Sequence, residues 1–476
     1  MRRKGFIIAA LLVVLGGTGF GVASFSGLFS YAKKMLFPPS PVILIVIDAL
    51  RADRLSQYGY DLDTSPGLND LASHSTMFSQ CYTNAPWTRP SMTTLFTGLH
   101  PIRHSVTRQT SLSDNAVTLA ESLKLAGMTT VGIPLNPNVS KRTGMNQGFD
   151  LFEEMFGNST AAYLNVKEMR RLARMWYRGK SKDPYFLFML PMNVHGPYKV
   201  PRSKREILFG RKPTRGFSYR NTALKNVMLS GNVAEARTRV TPKQIQSLQE
   251  KYATAVRYTT DQLGTFFEYL KSKGYYDEAL IIVTSDHGEE LFDHGGFSHG
   301  FTLYNELLHV PLFVKLPFQL KADVVDDQVM LADIYPTIMD LLDLEVPQAI
   351  DGESFAHILD GEAPEKMLRP KARETEIFSV AWPERCVGHA ILEWPWKLIE
   401  IYSNYEGLEN ESFLFNVETD PGETENLAGS YPDLVKRLSK KIEKDVANLG
   451  GKGAYVKSLV IDPEMKEQLK ALGYIQ

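Results

Sequence analysis

The chain has 476 residues, 43% of them hydrophobic and 22% charged, with 53 Lys and Arg against 54 Asp and Glu. That length supports one large domain or two smaller ones, and the ordinary composition excludes a mainly disordered chain. A formal net charge of -1 gives no electrostatic ground for a nucleic-acid partner. Two cysteines, Cys81 and Cys386, exclude a disulfide scaffold and a cysteine-rich zinc site; they form either one disulfide or two buried thiols.

The N-terminus reads as a targeting segment. Met1-Arg2-Arg3-Lys4 is basic and the run from Gly5 to Ala32 carries no charge. This exceeds the roughly 20 residues that span a bilayer. Residues 1–36 are therefore expected to be a signal anchor, or a signal peptide cleaved near Ala23-Ser24. The basic start favours an N-inside orientation, which puts the remainder outside the cytoplasm. The expected protein is anchored with a periplasmic or cell-surface catalytic domain, and secreted if the segment is cleaved. Phe37-Pro-Pro-Ser-Pro41 follows as a short stiff linker.

Val42 to Ile47, Tyr185 to Leu190 and Leu280 to Thr284 are continuous apolar runs, the pattern of strands buried on both faces of a parallel sheet. Each leads into polar residues: Asp48, Asn193 with His195, and Asp286 with His287. Ligands bind at such strand ends in open α/β sheets. Helical patterns lie between the runs, over Thr118 to Ala126 and Gln244 to Lys273. The alternation predicts an α/β fold with a mostly parallel central sheet flanked by helices. Residues 199–243 differ, with twelve basic residues against Glu206 and Glu235. They read as an insertion, either a solvated loop or a cradle for an anionic substrate or lipid headgroups. From about 366 to 476, short apolar runs alternate with turns, and Ala390 to Ile401 predicts a hairpin. The expected layout is a catalytic domain over 40–365 and a smaller C-terminal sheet-plus-helix subdomain over 366–476.

Several segments together carry a family resemblance. Val46-Ile-Asp48-Ala49-Leu-Arg51 places an acid at a strand end. Thr88-Arg89-Pro90-Ser91-Met92 runs on to Thr97-Gly98. Asn193-Val-His195-Gly-Pro197-Tyr198, Ser285-Asp286-His287-Gly288 and Ser298-His299-Gly300 follow in order, and Asp420-Pro-Gly leads to Asn426-Leu-Ala428. The ordered set, over roughly residues 40 to 430, resembles the sulfatase family of the alkaline phosphatase superfamily. The family's nucleophile is a Cys or Ser, converted to a formylglycine aldehyde, with an Arg four residues on. Thr88 and Met92 stand at those two positions. Oxidation of threonine would give a ketone, so no formylglycine is expected.

The resemblance implies a metal site of Asp48, Thr88, Asp286 and His287, and catalytic roles for Thr88, His195 and His299. Arg89, Asn193 and His294 are candidates for substrate contact, while His104 and His309 read as structural and Arg51 with Asp53 as an ion pair. One divalent ion is expected. An imidazole ligand, and Ala49 where many relatives carry a second acid, favour zinc or manganese over calcium or magnesium. Metal coordination would activate the Thr88 hydroxyl. Because threonine cannot supply the aldehyde, the expected reaction is hydrolysis or transfer of phosphoesters through Thr88. The alternatives are a sulfatase-like hydrolase of sulfate esters and an inactive binding protein on the same fold. The expected partner in either enzyme is an anionic phosphoester or sulfate ester.

Overall fold

A computed structural model describes residues 40–155, 185–217, 239–359, 375–380, 386–403, 411–449, 456–458 and 463–472. The expected anchor (1–36) and residues 218–238 of the basic segment lie outside the described residues. Among those described, no helix is long and apolar enough to cross a membrane.

Eight strands form the central sheet: β1 (Val42–Val46), β2 (Thr76–Tyr82), β3 (Thr129–Pro134), β4 (Leu151–Phe152), β5 (Tyr185–Leu190), β6 (Leu280–Thr284), β7 (His309–Lys315) and β8 (Asp323–Met330). Their spatial order is β8-β2-β7-β6-β1-β5-β3-β4. All run in one direction except β7, which is antiparallel to both β6 and β2. The mostly parallel sheet is thus as the apolar runs imply. β1 is buried along its length because it has strands on both edges and helices on both faces. Ile43 and Ile45 face one core cluster, and Val42, Leu44 and Val46 the other.

Four helices supply the cover. α1 (Thr88–Thr97), α2 (Leu119–Leu125) and α4 (Ile334–Leu341) pack on one face through Leu95, Phe96, Leu119, Leu123, Tyr335 and Ile338. α3 (Pro242–Ser272) covers the other through Leu248, Tyr252, Val256, Phe266 and Leu270. α2 and α3 both begin with capping boxes, Thr118 with Glu121 and Thr241 with Gln244. These reciprocal bonds satisfy N–H groups that the first helical turn leaves unpaired.

A second, antiparallel sheet has strands β9 (Thr375–Val380), β10 (Cys386–Glu393), β11 (Trp396–Ser403) and β12 (Glu411–Asn416) in sequential order. Side chains alternate across it, as the two-residue strand period requires. Ala390, Leu392, Ile399 and Phe415 pack against Tyr82, Leu307 and Leu308. Ile391, Leu398 and Leu414 pack against Leu438 and Ile442 of α5 (Pro432–Leu449). At the Asp420 turn, the carboxylate accepts the N–H groups of Thr424 (2.7 Å) and Glu425 (2.9 Å).

The described part of the basic segment is pinned to α3. Arg211 forms a bidentate pair with Glu250 (2.8 and 3.0 Å), and the Phe217 ring packs edge-on to Phe297. Cys81 is a buried free thiol.

Candidate active site

The site lies where β1, β3 and β6 end and α1 begins. Asp48 and Asp286 each lie two residues beyond the end of a strand, β1 and β6 respectively. Their loops are clipped together by Ser285, whose hydroxyl donates to the Ile47 carbonyl and accepts from Leu50 N–H (2.9 Å). Ala49 has φ 60°, in the left-handed region where a side chain is unfavourable. That conformation aims its N–H at Asp286 Oδ1 (3.1 Å). Gly288 is required on packing grounds, because a Cβ there would fall 1.9 Å from the Glu306 carbonyl oxygen.

One oxygen each of Asp48 and Asp286, with a ring nitrogen of His287, lie within 4.8 Å of one another, all fully buried. His287 Nδ1 is 2.7 Å from the Gly288 carbonyl, which can only accept. Nδ1 therefore carries the proton in the neutral ring, and the Nε2 lone pair faces Asp286 (3.4 Å) and Asp48 (3.8 Å). Asp48 Oδ1 and Asp286 Oδ2 accept no well-formed hydrogen bond among the described residues. Burial, reinforced by Asp286, pushes the Asp48 carboxyl well above its usual pKa; burial also raises Asp286. Two such carboxylate oxygens facing an imidazole lone pair, with the other oxygen of each carboxylate held by Asn136 or by the Ala49 and His287 N–H groups, are a fitting cage for a divalent cation.

Thr88 is the first residue of α1 and is fully buried. Its Oγ1 is 3.3 Å from His287 Nε2 and accepts from Asn136 Nδ2 at 3.2 Å. Asn136 also donates to Asp48 Oδ2 (2.6 Å), while its own Oδ1 takes the Asn138 N–H (2.8 Å), which fixes the amide's orientation. Three imidazoles line up beside this group. The His287 and His299 ring centres are 4.4 Å apart, and those of His299 and His195 4.8 Å. His299 Nδ1 is held by Glu289 (3.3 Å), and His195 Nδ1 by the Gly196 carbonyl (2.7 Å).

The remaining candidates are placed otherwise. Arg89 directs its guanidinium to the Thr107 and Arg108 carbonyls and to Asn138 Oδ1 (2.8 Å). Asn193 Nδ2 donates to the Lys199 carbonyl at 3.4 Å. His294 stacks on Tyr304 at 3.6 Å and binds the Glu306 carboxylate (2.5 Å) and the Glu423 carbonyl, tying the site loop to the C-terminal subdomain. Arg51 pairs with Asp53 and also with Asp293 (2.6 Å). Met92, at the position of the family's Arg, lies in the hydrophobic core. His104 binds Thr94 and the Val106 N–H, and His309 the Ser79 carbonyl, all within the fold. Asn136 and Glu289 are site residues that sequence reading missed. Asn136 follows β3, so the strand-end rule would have found it had that strand been recognised.

A profile described as Sulfatase matches residues 40–344. The chain belongs to the sulfatase family. A second profile, N-sulphoglucosamine sulphohydrolase, C-terminal, matches residues 292–448. Arylsulfatase K of Xenopus laevis is 22% identical over 454 residues, covering 86% of this chain and 83% of that protein. N-acetylglucosamine-6-O-sulfatase of Bacteroides thetaiotaomicron is 28% identical over 203 residues, covering 42% of this chain and 36% of its own length. Among solved structures, BT4656 in complex with its substrate D-glucosamine-2-N,6-O-disulfate superposes with a TM-score of 0.71 at 19% identity, over 86% of this chain and 98% of the other. Phosphonate monoester hydrolase of Agrobacterium radiobacter gives 0.69 at 19% identity, over 86% and 96%.

These findings correct the expectation of phosphoester chemistry. The relatives found by sequence are named as sulfatases, which supports a hydrolase and favours the sulfate-ester alternative. The physical reason is that threonine excludes the aldehyde, not the sulfate. Sulfate and phosphate esters are both tetrahedral oxyanions, and a metal beside a hydroxyl does not by itself separate them.

Proposed function

We propose that the protein hydrolyses sulfate esters, R–O–SO3⁻ plus water giving R–OH and hydrogen sulfate. The observation that supports this reading is the buried Thr88 hydroxyl set between His287 and Asn136, beside the Asp48–Asp286–His287 cage, in a chain of the sulfatase family. Zinc or manganese suits a cage that contains an imidazole. A bound ion would polarise the ester oxygens and lower the pKa of a coordinated hydroxyl.

The chain's own groups supply the rest. The positive end of the α1 dipole favours an anion next to Thr88. Asn136 fixes the Thr88 hydroxyl, which attacks sulfur unmodified: the Oγ1–S bond forms as the S–O bond to the alkoxide breaks and the hydroxyl proton passes to solvent, and water then breaks the Oγ1–S bond and restores the hydroxyl. His299, oriented by Glu289 and in ring contact with both His287 and His195, delivers a proton to the departing alkoxide as the S–O bond breaks. The oxygen gained by the sulfate comes from water. The uncharged run Gly5 to Ala32 behind Arg2, Arg3 and Lys4 supports an anchored, extracytoplasmic enzyme.

The test is turnover of alkyl and aryl sulfates by the zinc- or manganese-loaded full chain, beside Thr88→Ala and His299→Ala. Thr88→Ala should be inactive. His299→Ala should lose about 10²–10⁴-fold on alkyl sulfates and much less on 4-nitrophenyl sulfate, whose leaving group needs no proton. Turnover of aryl phosphodiesters with none of any sulfate would refute the proposal. Peptide mass spectrometry should find Thr88 unmodified.

A further inference from the structure

Four of the five exposed large hydrophobic side chains among the described residues lie at one end of the central sheet. Leu125 is 81% exposed, Phe318 63%, Leu320 81% and Val324 60%. The fifth, Tyr431, lies in the C-terminal subdomain, against Trp396. Strand register fixes the shared end. Val42 is level with Phe186, and Phe186 with Thr130, so β3 starts beside the start of β1, with three residues between it and the end of Leu125's helix. Val42 is also level with Leu280; β7 runs the opposite way, with Lys315 level with Ile281. The loop from Leu316 to Ala322 therefore projects past the first residue of β1, and Phe318 N–H bonds the Asp277 carbonyl there (2.7 Å). Asp323, at the start of β8, pairs with Thr76, at the start of β2.

The chain reaches β1 at this same end, from the uncharged run Gly5 to Ala32. The nine residues between Ala32 and Val42 span at most about 32 Å when fully extended. A domain of this size is roughly 50 Å or more across. A tether that short holds this end, and not the opposite one, toward whatever carries the apolar run. Neighbouring strands are about 4.8 Å apart, which puts Leu125's corner about 10 Å to one side of β1 and Val324 about 19 Å to the other. The apolar tips thus lie on both sides of the start of β1.

We propose that this end of the domain is seated on the lipid bilayer, with Leu125, Phe318 and Leu320 inserted into its interface. The proposal rests on the anchored reading given above and adds an orientation to it. From Val42 to Asp48 the strand rises about 20 Å, so the Asp48–Thr88–His287 site lies at the end of the sheet away from the membrane. Lys124, Lys273 and Lys321 lie at the membrane-facing end, but so do Asp277, Glu278 and Asp323. Apolar insertion, not charge, carries the contact, and uncharged lipid suffices.

The test uses the full chain in phosphatidylcholine vesicles in a Cys386→Ser background, with a solvent-sensitive fluorophore on Leu320→Cys, Leu125→Cys or, as control, Lys212→Cys. Labels at 320 and 125 should shift to the blue and be quenched by nitroxide-bearing lipid, while the label at 212 should not. Vesicle-bound protein whose 320 and 125 labels stay aqueous would overturn the seating and leave the anchor intact. Failure to float with vesicles would remove the anchor and the seating together. A blue shift that follows protein concentration without lipid quenching would assign the patch to a second copy of this chain and overturn the proposal.

Discussion

Glu290 sets up a quantitative test of the site's surroundings. Its carboxyl is fully buried next to the loop that carries His294, with the Thr302 hydroxyl near it but no well-formed hydrogen bond to either oxygen among the described residues. Burial, and then the charge of Glu306, pushes its pKa from 4.5 up to about 8. Below about pH 4 the group is protonated in folded and unfolded chains alike and contributes nothing. Above that, the unfolded chain releases the proton while the folded chain keeps it until about pH 8, so stability falls as pH rises. At about 1.36 kcal/mol per unit, the cost is about 3 kcal/mol at pH 7 and under about 1 kcal/mol at pH 5. Glu290→Gln keeps the shape and removes the ionisation. Its stability relative to the parent should improve by roughly 2 kcal/mol between pH 5 and pH 7. Whatever fixed difference the amide introduces cancels in that comparison, and Glu306, His294 and Asp293 are present in both proteins. Urea unfolding followed by circular dichroism at the two pH values measures it. Parallel pH dependences would refute the reasoning and mean that Glu290 finds a solvated or paired state in solution.

The other predictions concern the metal cage. Asn136→Ala removes the donor to Asp48 and Thr88 and should weaken zinc or manganese binding by about 10–100-fold in titration calorimetry, with the fold intact; unchanged affinity would mean that Asp48 is oriented by other contacts. Ala49→Asp adds a carboxylate next to Asp48 at a backbone position with φ 60°, which aspartate tolerates better than most residues. Calcium affinity should rise more than zinc affinity, because calcium gains from each added oxygen. An unchanged ratio of the two would show that carboxylate number does not set metal preference here.

The sheet was legible where its strands are uninterrupted. β1, β5 and β6 are continuous apolar runs because both of their faces and both of their edges are covered. β7 was not, because Pro311 interrupts it; the ladder to β2 slips between Val310 and Leu312, a bulge that accommodates a residue without an N–H. β8 alternates only weakly, lies at the sheet edge and carries its own register shift between Val325 and Gln328. The C-terminal hairpin was plain because each strand presents alternating faces to two different partners.

At the site, the residues that sequence reading reached are those whose chemistry is visible one residue at a time: acids, imidazoles and a hydroxyl at the ends of apolar runs. Asn136 and Glu289 escaped because they act on other side chains, Asn136 on Asp48 and Thr88, and Glu289 on His299. Arg89 shows the converse. Its place after Thr88 suggested an anion contact, yet the first turn of α1 swings it onto the Thr107 and Arg108 carbonyls and Asn138. Neighbours in sequence at a helix start diverge by about 100°, so adjacency to Thr88 carries no implication of a shared target. Met92, four residues beyond Thr88, lies one turn farther along α1, in the hydrophobic core. A charge at that position would have to find a partner within this apolar core.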